Sequence, residues 1–469
     1  MATENTFYTR SGKMNRMMKR VKKIYFIGIG GVSMRILARM CAERGYLVSG
    51  SDAVRGEATI SLRLAGIPVF SPDENSPIID ADMAVYTTAV SKTHPEYQSA
   101  LRRGIPLVSR ADLFGFLMQE YRERIGVAGT HGKSTVTAMC GAVLAEGNKE
   151  PTVAVGAEMP PSHDGYIPGS RDVLAFEACE YYDSFLCFSP TIALITNVEW
   201  DHPDYFRDFT AVLSSFRAYL SLPSVRCAVV SAADEGARRV ATGLSLPVVT
   251  FGIGEGDVSA REIERLSGGS GFTLDIHGQP IGRVRLRVPG RHNILNALAA
   301  TAATLGAGVD EGALLKALSS FRGIGRRLEL RGESGGVLYY DDYAHHPTEI
   351  TASLSALRKK GKLFCIYQPH TYTRTAELFP GLAAALRLAD TTVLVDIYAA
   401  REEDTRGTGS AALATAVGGS ARYIPTPEEA VSFVRKQAEP GDTVVVMGAG
   451  DIGSRVFTGD LAFLPKPEL

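Results

Sequence analysis

The chain has 469 residues, 45% of them hydrophobic, and a formal net charge of −1. That length predicts two to four domains with sizeable cores, and near-neutrality excludes a global field for nucleic acid. No apolar run reaches membrane-spanning length, and six cysteines without a CxxC pair point to a reducing cytosol rather than to disulfides or zinc ligands.

Residues 1–22 are basic but lack the apolar stretch of a secretory signal, and are expected to be a flexible tail. A first domain, 23–123, opens with a strand over Ile24–Ile27, a tight turn at Gly28-Ile29-Gly30-Gly31, and a helix over Ser33–Arg44. A second strand leads to Ser51-Asp52. An acid about twenty residues past a glycine turn is the dinucleotide-binding layout. The third fingerprint position is Ser33 rather than glycine, so the ligand is nucleotide-like without being fixed as NAD. Thr87 and Arg110 follow further strands. Arg110 is suited to a diphosphate, or is a solvated surface charge.

The second domain, 124–328, is organised around Gly129-Thr130-His131-Gly132-Lys133-Ser134-Thr135. An apolar strand, Ile125–Ala128, precedes it and a helix to Glu146 follows. Strand, glycine turn, lysine, hydroxyl and helix make a phosphate-binding loop: backbone N–H groups face the anion and the helix N-terminus adds positive charge. Lys133 is placed to reach outer phosphates and Ser134 to ligate Mg²⁺. The spacing is a shortened variant, with Val127 where the standard form has glycine. Two more strands end at Glu177 and before Asp201-His202. If the sheet is parallel, loop, carboxylate and imidazole share its carboxyl edge, where ATP and Mg²⁺ would sit. His202 reads equally as a metal ligand or as loop structure. Phe272–Ile276 and Val284–Val288 alternate apolar and polar and predict antiparallel strands. His292-Asn293 either cap the helix that follows or contact a base.

Phe321–Arg327, rich in glycine and arginine, reads as a hinge into a third domain, 329–469. There Asp341–Pro347 and Gln368–Thr375 gather Asp, Tyr, His and Arg after strands, a cluster that packing alone does not explain. Gly448-Ala449-Gly450-Asp451-Ile452-Gly453 is a literal GxGxxG. Only sixteen residues remain beyond it, too few for a dinucleotide site, so it reads as a strand–helix turn.

Together these blocks resemble the Mur ligases, most closely their alanine-adding branch, over nearly the whole chain after residue 22. The resemblance implies an α/β protein of three domains. These are a Rossmann-like UDP-sugar domain, a P-loop ATPase with an added antiparallel β portion, and a Rossmann-like amino-acid domain. It implies an ATP- and Mg²⁺-dependent ligase that joins L-alanine to UDP-N-acetylmuramic acid through an acyl phosphate. The setting would be the bacterial cytoplasm, with a monomer or weak homo-oligomer and no nucleic acid or membrane partner. By resemblance, Gly28, Gly30, Gly31, Ser51, Asp52, Thr87 and Arg110 bind the UDP-sugar. Gly129 to Thr135, Asn293 and Arg327 bind ATP, with Lys133 on its outer phosphates. Ser134 and Glu177 hold one Mg²⁺ and His202 a second, and Tyr343, His345 and Arg374 meet the acyl phosphate and alanine. Catalysis thus rests on Lys133, His202, His345 and Arg374. Thr371 stands where relatives often carry a basic residue.

Overall fold

The computed structural model describes residues 12, 14–73, 76–160, 164–400, 402–404 and 407–457. Each of three sheets forms the core of one domain. The first is parallel and five-stranded, in the order Val69–Phe70, Leu47–Ser51, Lys23–Ile27, Met83–Tyr86, Leu107–Ser109. Its central strand is apolar on both faces because helices cover both, as parallel sheets require.

The expected tail is corrected in part. Residues 14–18 are helical, and Met18 and Val21 are buried in the same cluster as Ile24 and Met40. These apolar side chains gain more from the core than a loose segment would keep. Residues 1–11 and 13 lie outside the described residues.

The central sheet has ten strands. Glu123–Ala128 lies between Val173–Glu177 and Ile192–Ile195, all parallel. The three strand ends carrying the phosphate loop, the carboxylate and the histidine therefore share one edge, as the sequence suggested. Beyond Cys227–Ser231 and Val248–Ile253, the strands Val258–Leu266, Gly269–Ile276 and Gln279–Leu286 run antiparallel to one another. The helix Lys133–Glu146 is apolar nearly all round because Arg291–Thr304 and Glu311–Ser320 cover it from outside.

The third sheet has six strands, ordered Glu329–Ser334, Val337–Asp342, Thr443–Met447, Leu363–Tyr367, Thr391–Leu394, Arg422–Tyr423. Only the first pair is antiparallel. The GxGxxG segment is the turn between Thr443–Met447 and the helix Ile452–Phe457. A Cβ on Gly450 would come within 2.6 Å of Tyr398, so that glycine serves packing.

The first domain is fixed to the second. Phe114 meets Phe176 and Phe188 edge-on, with ring centroids 5.6 and 5.3 Å apart, and Gly115 leaves no room for a Cβ beside Cys187.

Candidate active site

The phosphate loop is braced from the neighbouring strand end. Thr130 N donates to Asn197 O at 3.0 Å, His131 N to Asn197 Oδ1 at 2.8 Å, and Thr196 Oγ1 to His131 O at 2.6 Å. Gly132 turns the chain with φ 83°, and a Cβ there would meet Asn296 Oδ1 at 2.7 Å. Glycine is needed on both counts. Lys133 folds back onto its own loop. Its Nζ donates to Gly129 O at 2.6 Å and Thr130 O at 3.1 Å, and lies 3.0 Å from Glu180 Oε2. Burial opposes its charge, but Glu180 outweighs burial and raises the pKa above the usual lysine range.

Ser134 Oγ donates to Glu177 Oε2 at 2.9 Å, so this hydroxyl–carboxylate pair is assembled. Such a pair suits a hard divalent cation beside a phosphate, and that fit supports Mg²⁺ at this point. His202 stands beside Lys133 rather than the pair: its Nε2 is 3.8 Å from Glu180 Oε1, and Glu180 binds Lys133 Nζ. His202 has φ 54°, a left-handed backbone that costs energy outside glycine and gathers at functional sites. It stacks on Tyr181 with centroids 4.4 Å apart. Burial lowers its pKa, so the imidazole is neutral and able to ligate.

A cavity of about 300 Å³ opens between the central and third domains. Gly132 and Thr135 line it with His292, Asn293, Asn296 and Arg327. His292 and Asn293 lie inside the first helical turn after the cap Gly290, so neither caps it. Asn293 is oriented by its own contacts, donating from Nδ2 to Pro289 O at 2.7 Å and accepting from Asn296.

Third-domain residues close over this edge. Arg374, only 8% exposed, donates from Nε to Asp201 Oδ1 at 3.1 Å. Its other nitrogens lie 3.1 Å from His370 Nδ1 and 3.4 Å from His202 Nδ1. Burial alone would raise the Asp201 carboxyl, but Arg374 holds it well below the carboxylate range. Burial pushes His345 down to about 4 and His370 to about 3, so both are neutral. His345 Nδ1 lies 3.0 Å from Tyr343 O, which leaves Nε2 as an acceptor. The guanidinium carbons of Arg326 and Arg327 each sit 4.9 Å from the Tyr343 ring centre. Thr371 has φ 61° and caps the helix Tyr372–Glu377 that carries Arg374, its Oγ1 accepting from Arg374 N.

A second set of domain contacts surrounds His131. Its Nδ1 is 3.2 Å from Glu349 Oε1, and Thr348 Oγ1 donates to Glu199 Oε2 at 2.6 Å. Burial opposes charge on His131, but Glu349 and Glu199 overcome it and raise the pKa to about 9.

In the first domain, Gly30 N donates to Asp52 Oδ2 at 2.8 Å, so Asp52 ties down the turn that Gly28 makes with φ 77°. Gly31 follows as the N-cap of the helix Val32–Ala42. Thr87 Oγ1 accepts from Ala89 N after its strand. Arg110 is half-buried and faces Glu177 and Cys179 rather than open solvent, and burial lowers its pKa. Ser51 is a correction: it is fully buried and its hydroxyl donates to Glu96, so it supports the turn from behind. Sequence reasoning did not single out Glu180, Glu199, Asp201, His346, Glu349 or His370 for a role. All lie within or beside the polar blocks after strands, which was the available signal.

Three sequence models match the chain in succession. They are "Mur ligase family, catalytic domain" over 23–122, "Mur ligase middle domain" over 127–304, and "Mur ligase, glutamate ligase domain" over 326–450. The UDP-N-acetylmuramate–L-alanine ligase of Caldicellulosiruptor bescii is 39% identical over 440 residues, 92% of this chain and 97% of that protein. That of Alkaliphilus metalliredigens is also 39% identical, over 92% and 96%. The crystal structure of a UDP-N-acetylmuramate–alanine ligase from Thermotoga maritima superposes with a TM-score of 0.78 at 30% identity, over 93% of this chain and 98% of that one.

Proposed function

The chain belongs to the Mur ligase family, and from that premise we propose that it joins L-alanine to the lactyl carboxylate of UDP-N-acetylmuramic acid, with ATP as the phosphoryl donor. The observation that carries this reading is the meeting of Arg374 with Asp201 and His202. It brings the cationic, imidazole-rich edge of the third domain to the strand ends beside the phosphate loop.

A carboxylate is a poor acyl donor at neutral pH, and phosphorylation gives it a leaving group. The residues then have mainly to position and neutralise charge. Lys133 turns from Glu180 to the outer phosphates. Ser134 and Glu177, with His202 beyond Glu180, would hold Mg²⁺, which supplies charge neutralisation for the transferring phosphoryl group. Asn293 and Arg327 line the cavity that suits the base and ribose. The first domain presents the sugar nucleotide through the Gly28–Gly31 turn, with Asp52, Thr87 and Arg110.

Attack of the lactyl carboxylate oxygen on the γ-phosphorus of ATP releases ADP and leaves an acyl phosphate. The free amine of alanine adds to its carbonyl carbon, and the tetrahedral intermediate loses a proton and expels inorganic phosphate. Arg374 offers a fixed fork of donors for the carboxylate or phosphate, and neutral His345 offers Nε2 as an acceptor for an amine N–H. Closure of the third domain excludes water from the acyl phosphate. These steps fit the bacterial cytoplasm, where both substrates would be small molecules. Among the described residues, no helix is long and apolar enough to cross a membrane.

The test is ADP release with UDP-N-acetylmuramate across a panel of amino acids and peptides. Turnover with L-alanine is expected. Turnover with a preformed peptide but not with alanine would move the chain to a different branch of the family.

A further inference from the structure

The imidazole of His131, a residue of the phosphate loop itself, converges with Glu199 and His346 where that loop meets the third domain. Glu199 Oε2 lies 3.5 Å from His131 Nε2 and 3.7 Å from His346 Nδ1. Ligand atoms of the trio all fall within 4.8 Å of one another. Two ligands bound tetrahedrally to zinc at about 2.0–2.1 Å stand roughly 3.4 Å apart. The separations therefore already approach those of a bound cation.

Two independent features favour a ligand here. His131 Nε2 is buried and has no hydrogen-bond partner, a costly state for a polar atom. Its other nitrogen lies 3.2 Å from Glu349 Oε1. A carboxylate on the far nitrogen fixes the ring, the support that metal-bound imidazoles use, and a cation at Nε2 would displace the proton that Glu199 and Glu349 otherwise favour there. Glu199 is held in turn by Thr348 Oγ1 at 2.6 Å. The competing partner of His346 Nδ1 is Thr348 N at 3.3 Å, a long contact that a metal bond would replace readily.

We propose that His131, Glu199 and His346 form a binding site for a borderline-soft divalent cation of the Zn²⁺ class, which clamps the third domain onto the phosphate loop. Two imidazoles and one carboxylate with a fourth position open are a zinc donor set; Mg²⁺ prefers oxygen ligands and octahedral geometry. His131 and Glu199 come from the central domain and His346 from the third, so the full site exists only when the two are closed together. A cation bound there favours the closed form by mass action and opposes the opening that exchange of substrates and products needs. His131 and Glu199 also line the cavity beside the phosphate loop, so the cation and a nucleotide are expected to oppose each other's binding.

The experiment titrates the nucleotide-free full chain with Co²⁺, a spectroscopic stand-in for Zn²⁺, in excess Mg²⁺. One equivalent should produce the visible absorption of tetrahedral cobalt, and Zn²⁺ should remove it. Affinity should fall at least roughly tenfold in His346→Gln and separately in Glu199→Gln. Because His346 also caps a helix, the Glu199 variant tests the site without that complication. Micromolar Zn²⁺ should inhibit wild-type turnover, with relief by a chelator. Absence of one-equivalent tetrahedral binding in the wild type would overturn the proposal, as would unchanged affinity in both variants. Binding is read without substrates, so this result is separate from the identity of the amino acid used.

Discussion

Arg374 and Asp201 are 173 positions apart in sequence, yet the arginine Nε donates to Asp201 Oδ1 at 3.1 Å across the boundary between the third and central domains. Both are buried, so neither charge keeps water as an alternative partner. Removing one leaves the other buried and unpaired, which is the costly case for an ion pair. Because Asp201 adjoins His202, the same contact also sets how the third domain meets the candidate metal side of the site.

Arg374→Lys and His345→Ala are each expected to lower kcat/KM for alanine at least roughly a hundredfold, about 2.7 kcal/mol of transition-state stabilisation. Lysine cannot reproduce the fork that reaches Asp201, His202 and His370 together. Asp201→Asn should cost a similar amount, and the double variant with Arg374→Lys much less than the sum of the two. Additive losses would mean that the pair does not act as a unit.

Lys133→Ala should abolish ADP formation while UDP-sugar binding, measured by calorimetry, survives. The sugar-nucleotide turn lies on another sheet, some hundred residues earlier in the chain. Near-normal ADP release would end the phosphate-loop assignment.

Ser134→Ala and Glu177→Gln should shift the Mg²⁺ midpoint of activity upward, by roughly tenfold or more, with less effect on the alanine midpoint. The two residues share one hydrogen bond, so each variant also frees its partner. A Mg²⁺ midpoint that stays put in both would remove them from the ligand set.

His131 has a pKa raised from 6.5 to about 9 in the folded chain. A raised pKa contributes stability that is fully present below about pH 6.5 and is lost as pH rises through about 9. Wild-type protein should therefore exceed His131→Gln in Tm most at about pH 6, and the gap should shrink by about pH 10. A gap that grows with pH would show that the ion pairs with Glu349 and Glu199 are not what holds this boundary.

Much of this was legible in sequence because the polar blocks follow apolar strands. Glu177 and His202 fell on one sheet edge on the condition that the sheet be parallel, which it is, and the last GxGxxG could be discounted by counting residues. What stayed hidden depends on domain docking. Nothing near Glu349 in sequence names His131 as its partner, and nothing near Asp201 names Arg374. Ser51 misled because a hydroxyl beside a ligand turn looks the same whether it faces the ligand or a buried carboxylate such as Glu96. The segment 14–22 misled because its charge masks Met18 and Val21, which contribute to the core only once the first sheet exists.

Lys133 already has oxygen partners on every side, two carbonyls of its own loop and both oxygens of Glu180. Arrival of a phosphate is thus an exchange of partners, and net affinity is the small difference between two large interactions. The exchange leaves Glu180, 3% exposed and 3.8 Å from His202, without its counter-ion. A buried carboxylate cannot stay so at low cost. Its negative charge would then draw a cation to the His202 side of the loop. In the proposed reaction, phosphate and metal would thus recruit one another through a single carboxylate.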